Sequence, residues 1–348
     1  MRDYSLESIL DLTHDRKPDF NNLLAVLNKK KPSRPTLFEF YLNGPLERRL
    51  AQWNGPATEE GYYQCSIQAF ANAGYDYTPV HASGFALKRE SIQRKETQSA
   101  NDGAVIFDRE SFEEYKWENP VDYYDGRLEK YKKYLPDGMK FIVRGQGGIL
   151  ENVIDLIGFN NLCYMIIDEP ELVGMVADNV GQRFYEHYKT IIDNDSVGAI
   201  ISNDDWGFNT QTMLSPDDLR KYIFPWHKKI ADLAHSAGKP AILHSCGNLD
   251  RVLVDITDDI KYDGKHSYED NIKPVEEMYD ELKGKVAVLG GIDVDFMCSK
   301  TQDEIYDRCV RILEKTKCEG YALGTGNSVP EYIPDENYFA MISAALKY

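Results

Sequence analysis

A histidine and a cysteine stand two residues apart in His244-Ser245-Cys246, at the end of the apolar run 241–243. Side chains two apart in a β-strand point to the same face, so the imidazole nitrogen and the sulfur would converge. A thiolate with an imidazole suits Zn²⁺ better than Mg²⁺ or Ca²⁺, and three protein ligands with one open position make such a metal catalytic. The pair therefore predicts part of a zinc site; the alternative is a buried cysteine beside a hydrogen-bonded histidine.

The composition limits the classes of protein to which the chain can belong. With 348 residues, of which 42% are hydrophobic, the chain can form one large barrel or two ordinary domains. A formal net charge of -17 argues against a nucleic-acid partner, because phosphate binding needs clustered lysine and arginine. No uninterrupted apolar stretch resembles a secretion signal or spans a bilayer, which predicts a soluble cytoplasmic protein without a membrane partner. The six cysteines contain no Cys-x-x-Cys pair, so most of them, including Cys163 and Cys309, are predicted to fill the core.

Strand-like runs alternate with amphipathic helices along the chain. The predicted strands are residues 36–42, 77–82, 141–145, 199–203, 241–244, 264–268, 286–290 and 321–324. Helix starts are marked by Ser215 before Pro216 and by the capping box from Thr301 to Glu304. Eight such units in a chain of this length predict one closed (β/α)₈ barrel domain over residues 1–348. Residues 1–33 are then a helical N-terminal preface, and residues 88–136 a long excursion between the second and third strands.

Polar residues gather where the predicted strands end, which is the edge of a barrel that carries active sites. In strand order they are Glu39, His81, Arg144 with Gln146, Asn203 with Asp204 and Asp205, His244 with Cys246, His266, and Thr325 with Asn327. By strand alternation, one of Asp204 and Asp205 should point inward and the other outward, and the sequence does not tell which.

Four motifs together carry a family resemblance. They are Ser202-Asn-Asp-Asp-Trp-Gly207, His244-Ser-Cys-Gly-Asn248, Leu289-Gly-Gly-Ile-Asp293 and Leu323-Gly-Thr-Gly-Asn327. Through their order and spacing, the chain from about Asp168 onward resembles the uroporphyrinogen decarboxylase superfamily. The resemblance implies a (β/α)₈ barrel, a fold that porphyrinogen decarboxylases share with zinc-dependent, cobalamin-linked methyltransferases.

The N-terminal region favours the methyltransferase branch of that superfamily. The decarboxylases carry an Arg-Gln-Ala-Gly-Arg-Tyr motif whose arginines meet the carboxylates of the substrate, and this chain reads Leu37-Phe-Glu-Phe-Tyr-Leu-Asn-Gly44 there instead. An octa-anionic tetrapyrrole also fits poorly with a net charge of -17. A metal-independent decarboxylase of a porphyrinogen or another carboxylic acid is therefore the second interpretation.

The resemblance also implies a ligand set and a cofactor. Methyltransferases of this kind hold zinc with a His-x-Cys pair, matched here by His244 and Cys246, and with a cysteine at the end of the last strand. This chain has Thr325 at that place, and a neutral hydroxyl is a poor zinc ligand. The candidates for the third ligand are therefore Asp204 and Asp205, with Glu39 and His266 behind them.

The predicted function is zinc-dependent transfer of a methyl group between a small molecule, as donor or acceptor, and a corrinoid. The cobalamin is expected on a separate partner protein, because nothing in the chain resembles a cobalamin-binding domain. Zinc would lower the pKa of a substrate thiol or act as a Lewis acid on the oxygen of a methyl donor. A non-catalytic ligand-binding barrel is the third interpretation, and Thr325 is the residue that favours it. A homodimer is one assembly considered, and the sequence does not determine the oligomeric state.

Other strand-end residues are expected to act on the substrate. Asp204 or Asp205 would complete the metal site or serve as a general base. Arg144 would either hold a substrate carboxylate or phosphate or form a structural ion pair. The remaining predicted pocket residues are His81, Gln146, Asn203, Trp206, Thr325 and Asn327.

Overall fold

Seven parallel strands form one curled sheet in a computed structural model that describes residues 2–89, 100–101 and 103–348. The strands are β1 Tyr77–His81, β2 Lys140–Arg144, β3 Val197–Asn203, β4 Ala241–His244, β5 Gly264–His266, β6 Ala287–Leu289 and β7 Tyr321–Ala322. Each strand pairs in parallel with the next one along the chain. The sheet and the helices between its strands confirm the predicted barrel-like α/β fold.

Helices connect the strands and cover the outside of the sheet. The α-helices are α1 Leu6–Thr13, α2 Phe20–Leu27, α3 Gly44–Leu50, α4 Glu59–Asn72, α5 Arg109–Glu114, α6 Arg127–Tyr131, α7 Ile149–Ile157, α8 Phe159–Asp168, α9 Pro170–Ile191, α10 Pro216–Asp218, α11 Phe224–Ser236, α12 Val275–Leu282, α13 Val294–Ser299, α14 Gln302–Thr316 and α15 Asp335–Lys347. Short 3₁₀ turns lie at Pro120–Tyr123, Lys132–Tyr134 and Asp250–Val252, and π-helical turns at Leu219–Ile223 and Asp255–Ile260. Helices α1 and α2 lie in the predicted preface, and α5 and α6 in the predicted excursion, of which residues 90–99 and 102 lie outside the described part.

The first predicted strand, residues 36–42, is wrong as a regular strand. The segment meets the chain after β7 only through isolated parallel bridges, Leu37 with Leu323 and Leu42 with Val329. On its other side, the hydroxyl of Tyr77 accepts a hydrogen bond from the Glu39 nitrogen at 2.7 Å and donates one to the Glu39 oxygen at 2.6 Å. The Tyr77 side chain therefore bonds the backbone of residue 39, where a closed barrel would have backbone hydrogen bonds between this segment and β1.

The strands are apolar because helices cover the sheet, and parallel strands buried on both faces read as continuous hydrophobic runs. In β2, Phe141, Ile142 and Val143 are at most 1% exposed. Strand β5 departs most from this pattern, since it places Lys265 and His266 in the interior. Both belong to the neighbourhood of the candidate site.

The predicted helix starts are confirmed by their hydrogen bonds. The Ser215 hydroxyl accepts from the Asp218 nitrogen at 3.1 Å, and Thr301 and Glu304 cap each other's backbone reciprocally. Of the cysteines predicted to fill the core, Cys309 is fully buried, whereas the expectation for Cys163 is wrong because that residue is exposed on α8.

No single helix in the described ranges has the length and apolar character needed to cross a bilayer. The consecutive helices α7 and α8 reach that length only as a pair, and they are bent by 90° relative to each other.

Candidate metal site at the carboxyl end of the sheet

Three potential metal ligands converge where β3 and β4 end. Asn203 of β3 lies in register with His244 of β4, so the residues that follow the two strands leave the sheet side by side. One ligand atom from each of Asp205, His244 and Cys246 lies within 4.8 Å of the others. The Cys246 sulfur and His244 Nε2 are 3.8 Å apart, and a tetrahedral zinc ion would separate such atoms by about 3.6 Å. The donor set and its spacing therefore fit zinc.

The two adjacent aspartates have different environments. Asp205 is half-buried, and its Oδ1 accepts a hydrogen bond from the Cys246 nitrogen at 2.8 Å, which leaves its second oxygen for a metal. Asp204 is fully buried and turned away from that point. Of the two aspartates between which the sequence could not choose, Asp205 is the one that lies at the candidate site.

Asp204 anchors the surrounding structure. Its oxygens accept hydrogen bonds from the Leu150 and Glu151 nitrogens in the first turn of α7, at 2.9 and 3.0 Å, where the helix dipole favours a negative charge. Trp206 Nε1 and His227 Nε2 also donate to it, at 2.9 and 2.8 Å. Both oxygens are occupied, so the predicted role of Asp204 as ligand or base is not what the geometry favours.

Two glycines allow this close packing. A Cβ on Gly148 would lie 2.2 Å from the Asp204 side chain, so only glycine lets the start of α7 approach the carboxylate. Gly247 has φ +87°, and a Cβ there would lie 2.2 Å from the backbone of Gly207. The loops after β3 and β4 therefore cross in direct contact, which brings Asp205 next to Cys246.

A pair of histidines determines how His244 presents its ring. His244 Nδ1 and His266 Nδ1 are 2.8 Å apart, and His266 Nε2 lies 3.4 Å from the carbonyl oxygen of Thr325. Since that carbonyl can only accept, His266 carries its proton on Nε2 and accepts at Nδ1, so His244 carries its proton on Nδ1. His244 Nε2 then has a free lone pair directed toward Cys246, as a metal ligand requires. Burial lowers the pKa of His244 to about 4 and that of His266 well below its usual value, so both rings are neutral.

Thr325, at the place where the resemblance implies a cysteine, is bound to Glu39. Its nitrogen and its hydroxyl donate to the two carboxyl oxygens at 2.7 and 2.6 Å, and both residues are fully buried. Burial raises the pKa of Glu39 to about 8 against the opposing hydrogen bonds from Thr325. Glu39, Thr325 and His266 therefore surround the site without entering the group of converging ligand atoms, contrary to the prediction that made Glu39 and His266 metal candidates.

Cys246 receives two hydrogen bonds at its sulfur. The Ser267 hydroxyl donates at 3.2 Å and Asn327 Nδ2 at 3.3 Å. Burial, together with the Asp205 charge, raises the pKa of the metal-free Cys246 thiol far above its usual value. The buried Lys265 lies nearby, and burial lowers its pKa to about 8 although Cys246 and Asp205 oppose that shift.

A cavity of about 810 Å³ opens onto Asp205 and Cys246. Its lining includes three tyrosines and four further carboxylates, namely Tyr41, Tyr268, Tyr332, Glu269, Asp270, Asp293 and Asp295. No lysine, arginine or histidine is among the described residues that line it. Asn327, one of the predicted pocket residues, lies in the lining of this cavity, and its amide donates to the Cys246 sulfur.

The other predicted site residues lie outside this cavity. Gln146 is exposed, and Trp206 is fully buried against Phe224 and His227, so neither lines the pocket as predicted. Asn203 donates to Glu151 Oε2 at 3.3 Å. These contacts make Trp206 and Asn203 part of the packing around Asp204.

Arg144 and His81 stand opposite each other at the ends of β2 and β1. Burial and the Arg144 charge lower the pKa of His81 to about 3. The Arg144 guanidinium lies 5.0 Å from the ring centre of Phe40, which in turn stacks on His244 at 4.3 Å. Among the described residues its guanidinium makes no ion pair and its buried Nε has no hydrogen-bond partner, but Glu47 is close enough for its charge to act on Arg144.

Three residues near the site were not predicted from the sequence. Lys265 and Ser267 bracket His266, and a lysine inside a predicted strand was the one available signal. Glu151 accepts from the Gly148 nitrogen at 2.7 Å, and burial with the charges of Asp204 and Asp205 raises its pKa to about 8. Its position is set by the fold of α7 onto Asp204, for which no local pattern exists.

Comparisons with known proteins agree with the fold and the motifs. Curated proteins give no match. A methyltransferase from Methanosarcina mazei superimposes with a TM-score of 0.68 over 94% of this chain and 97% of its own, at 16% identity, which shows a shared fold. Xylanase B from Clostridium stercorarium F9 gives a TM-score of only 0.44 at 10% identity, over 96% of this chain and 98% of its own.

The family model for uroporphyrinogen decarboxylase (URO-D) matches residues 110–348, which begins well before Asp168, where the motif-based resemblance began. The matched range contains β2 to β7 and all three converging ligands. The chain belongs to the uroporphyrinogen decarboxylase family.

Proposed function

We propose that this protein is a zinc-dependent methyltransferase that moves a methyl group between a small molecule and a corrinoid held by a separate protein. The observation that carries the proposal is the convergence of Asp205, His244 and Cys246 beside a cavity of about 810 Å³. Family membership and the fold shared with a protein described as a methyltransferase support it.

The ligand set fits zinc by charge and by orientation. Carboxylate and thiolate together balance a divalent ion, and the neutral His244 imidazole offers the lone pair of Nε2 because its one ring proton, on Nδ1, is donated in a hydrogen bond to His266. Three protein ligands leave a fourth position for a substrate atom entering from the cavity. When bound there, zinc would supply a Lewis acid that ionises a substrate thiol or polarises the oxygen of a methyl donor.

The residues around the ligands hold them in place. Asp204 fixes the loop that carries Asp205 by binding the start of α7, and the Cys246 nitrogen orients the Asp205 carboxylate. Glu39 holds Thr325, whose carbonyl oxygen lies against His266. Each ligand is thus supported by a hydrogen bond that does not use its metal-binding atom.

The cavity lining argues against a porphyrinogen carboxylate as substrate. A polyanionic tetrapyrrole needs cations at its carboxylates, and the described lining contains acidic side chains and no basic one. The first segment of the barrel also lacks the arginine motif of the family's decarboxylases. Methyl transfer therefore remains the better supported activity.

The experiment combines metal analysis with a methyl-transfer assay. We expect about one zinc per chain in the wild type and its loss in Asp205→Asn and Cys246→Ser, whereas Asp295→Asn, an exposed cavity residue, keeps the metal. Demethylation of free methylcobalamin by small thiols, followed by absorbance, should then depend on zinc. Wild-type protein that takes up no zinc, or ligand variants that retain it, would contradict the proposal.

A further inference from the structure

The turn after β5 holds a serine in a backbone conformation that side chains avoid. Ser267 has φ +84° and is 4% exposed. Glycine adopts this conformation freely, whereas a residue with a Cβ is strained there. Such strain persists only where the surroundings enforce it, and it is concentrated at functional positions. A serine thus stands where glycine would fold more easily.

Buried contacts clamp this turn from both sides. Lys265 Nζ donates to the Ser267 carbonyl at 2.6 Å and lies 4.2 Å from the ring centre of Tyr268. The Tyr268 nitrogen donates to the carbonyl of Gly326 at 2.8 Å. These contacts place the Ser267 hydroxyl on the side of the turn that faces the metal ligands.

The hydroxyl is directed at one atom, the sulfur of Cys246. It donates at 3.2 Å, and the amide of Asn327 donates to the same sulfur at 3.3 Å. A thiolate accepts such bonds strongly, while a thioether sulfur is a weak acceptor. The two donors therefore stabilise the sulfur in its anionic, metal-binding form more than in an alkylated form.

We propose that Ser267 and Asn327 keep Cys246 a metal ligand by suppressing its own methylation. The inference rests on the proposed function, in which a methyl donor reacts beside a thiolate that still has lone pairs. Attack by that sulfur would form an S–CH₃ bond, break the bond from the methyl carbon to its donor with the electron pair leaving on the donor, and convert Cys246 into a neutral thioether. Ser267 and Asn327 are positioning residues that act through Cys246.

The test is the rate at which methyl iodide methylates Cys246 in zinc-loaded protein. The sulfur displaces iodide, so peptide mass spectrometry detects S-methylcysteine at this position and an indicator dye detects released zinc. Ser267→Gly removes the hydroxyl and also relieves the strained backbone, whereas Ser267→Ala removes the hydroxyl alone. We expect both to be methylated about tenfold faster than the wild type, since a hydrogen bond to a charged group is worth at least that factor.

The melting temperature separates this role from a structural one. Ser267→Gly should melt no lower than the wild type and yet react faster, whereas a merely structural serine would link faster methylation to a lower melting temperature. Asn327→Ala should also react faster, and the exposed Cys298 provides a reference rate within each sample. Zinc-loaded variants that react at the wild-type rate, or faster only with a lower melting temperature, overturn this inference alone. Wild-type protein without zinc overturns the proposed function and this inference with it.

Discussion

The buried pair of Glu39 and Thr325 makes a quantitative prediction about stability and pH. Glu39 is fully buried, and burial raises its pKa from an ordinary value of 4.5 to about 8. The perturbation is Glu39→Gln, which cannot ionise. Its amide oxygen can accept from the Thr325 nitrogen, and its amide nitrogen can donate to the Thr325 hydroxyl, so both contacts remain hydrogen bonds, the second with its direction reversed.

The sign follows from the protons bound in each state. Between pH 4.5 and about 8, the unfolded chain has released the Glu39 proton while the folded chain retains it. The contribution of this group to stability is therefore lost as the pH rises through that interval, by about 1.4 kcal/mol per unit. The loss amounts to about 5 kcal/mol once the pH exceeds the folded pKa. Glutamine avoids this loss, at a cost of about 1 to 3 kcal/mol, independent of pH, for the one amide hydrogen that is buried without a partner.

Urea unfolding of the wild type and Glu39→Gln at pH 5, 7 and 9 is the assay. We expect the variant to be no more stable than the wild type at pH 5 and more stable by about 2 to 4 kcal/mol at pH 9. Glu314→Gln, an exposed control on α14, should give the same small difference at every pH. A difference between wild type and Glu39→Gln that does not change with pH would refute the interpretation that Glu39 is buried in its protonated form.

Three further predictions concern the groups that hold the ligands. Asp204→Asn should lower the free energy of unfolding by about 3 kcal/mol in urea titrations, because the asparagine NH₂ group would then face buried hydrogen-bond donors that now bind a carboxylate oxygen. An unchanged stability would contradict the anchoring role of Asp204. His266→Phe keeps a ring but removes the acceptor for His244 Nδ1, so zinc affinity in a chelator competition should fall about tenfold or more, and an unchanged affinity would argue against the proposed tautomers. Burial lowers the pKa of both His187 and His244 to about 4, so the unfolded chain binds protons first on acidification. The stability that these two histidines contribute should accordingly fall as the pH drops from about 6.5 toward 4, while Glu39 contributes in the opposite direction. The wild type is therefore compared with His187→Phe in urea at each pH, and a difference between the two that does not change with pH would contradict neutral burial.

Much of the fold could be predicted from local patterns. Buried parallel strands are continuous apolar runs, and seven of the eight predicted runs correspond to strands of the sheet. The first run failed because Tyr77 makes side-chain hydrogen bonds to Glu39 where backbone pairing was expected. Such a contact joins residues far apart in the chain, so the spacing of hydrophobic residues along the sequence does not predict it.

The candidate site was predictable in part for the same reason. The period of a strand placed His244 and Cys246 together, and the motifs around them identified the family. Which aspartate joins them depends on α7 docking on Asp204, and the role of Thr325 depends on its contact with Glu39. Both are tertiary contacts, so the sequence could name the candidates and could not choose among them.

X-ray diffraction at the zinc absorption edge tests the central claim most directly. Crystals of zinc-loaded protein should give one anomalous peak bonded to an Asp205 oxygen, His244 Nε2 and Cys246 Sγ, at about 2.0 to 2.3 Å. Zinc-loaded crystals with no anomalous peak at these three atoms, or with a peak bonded to Glu39 or His266 instead, would contradict the claim.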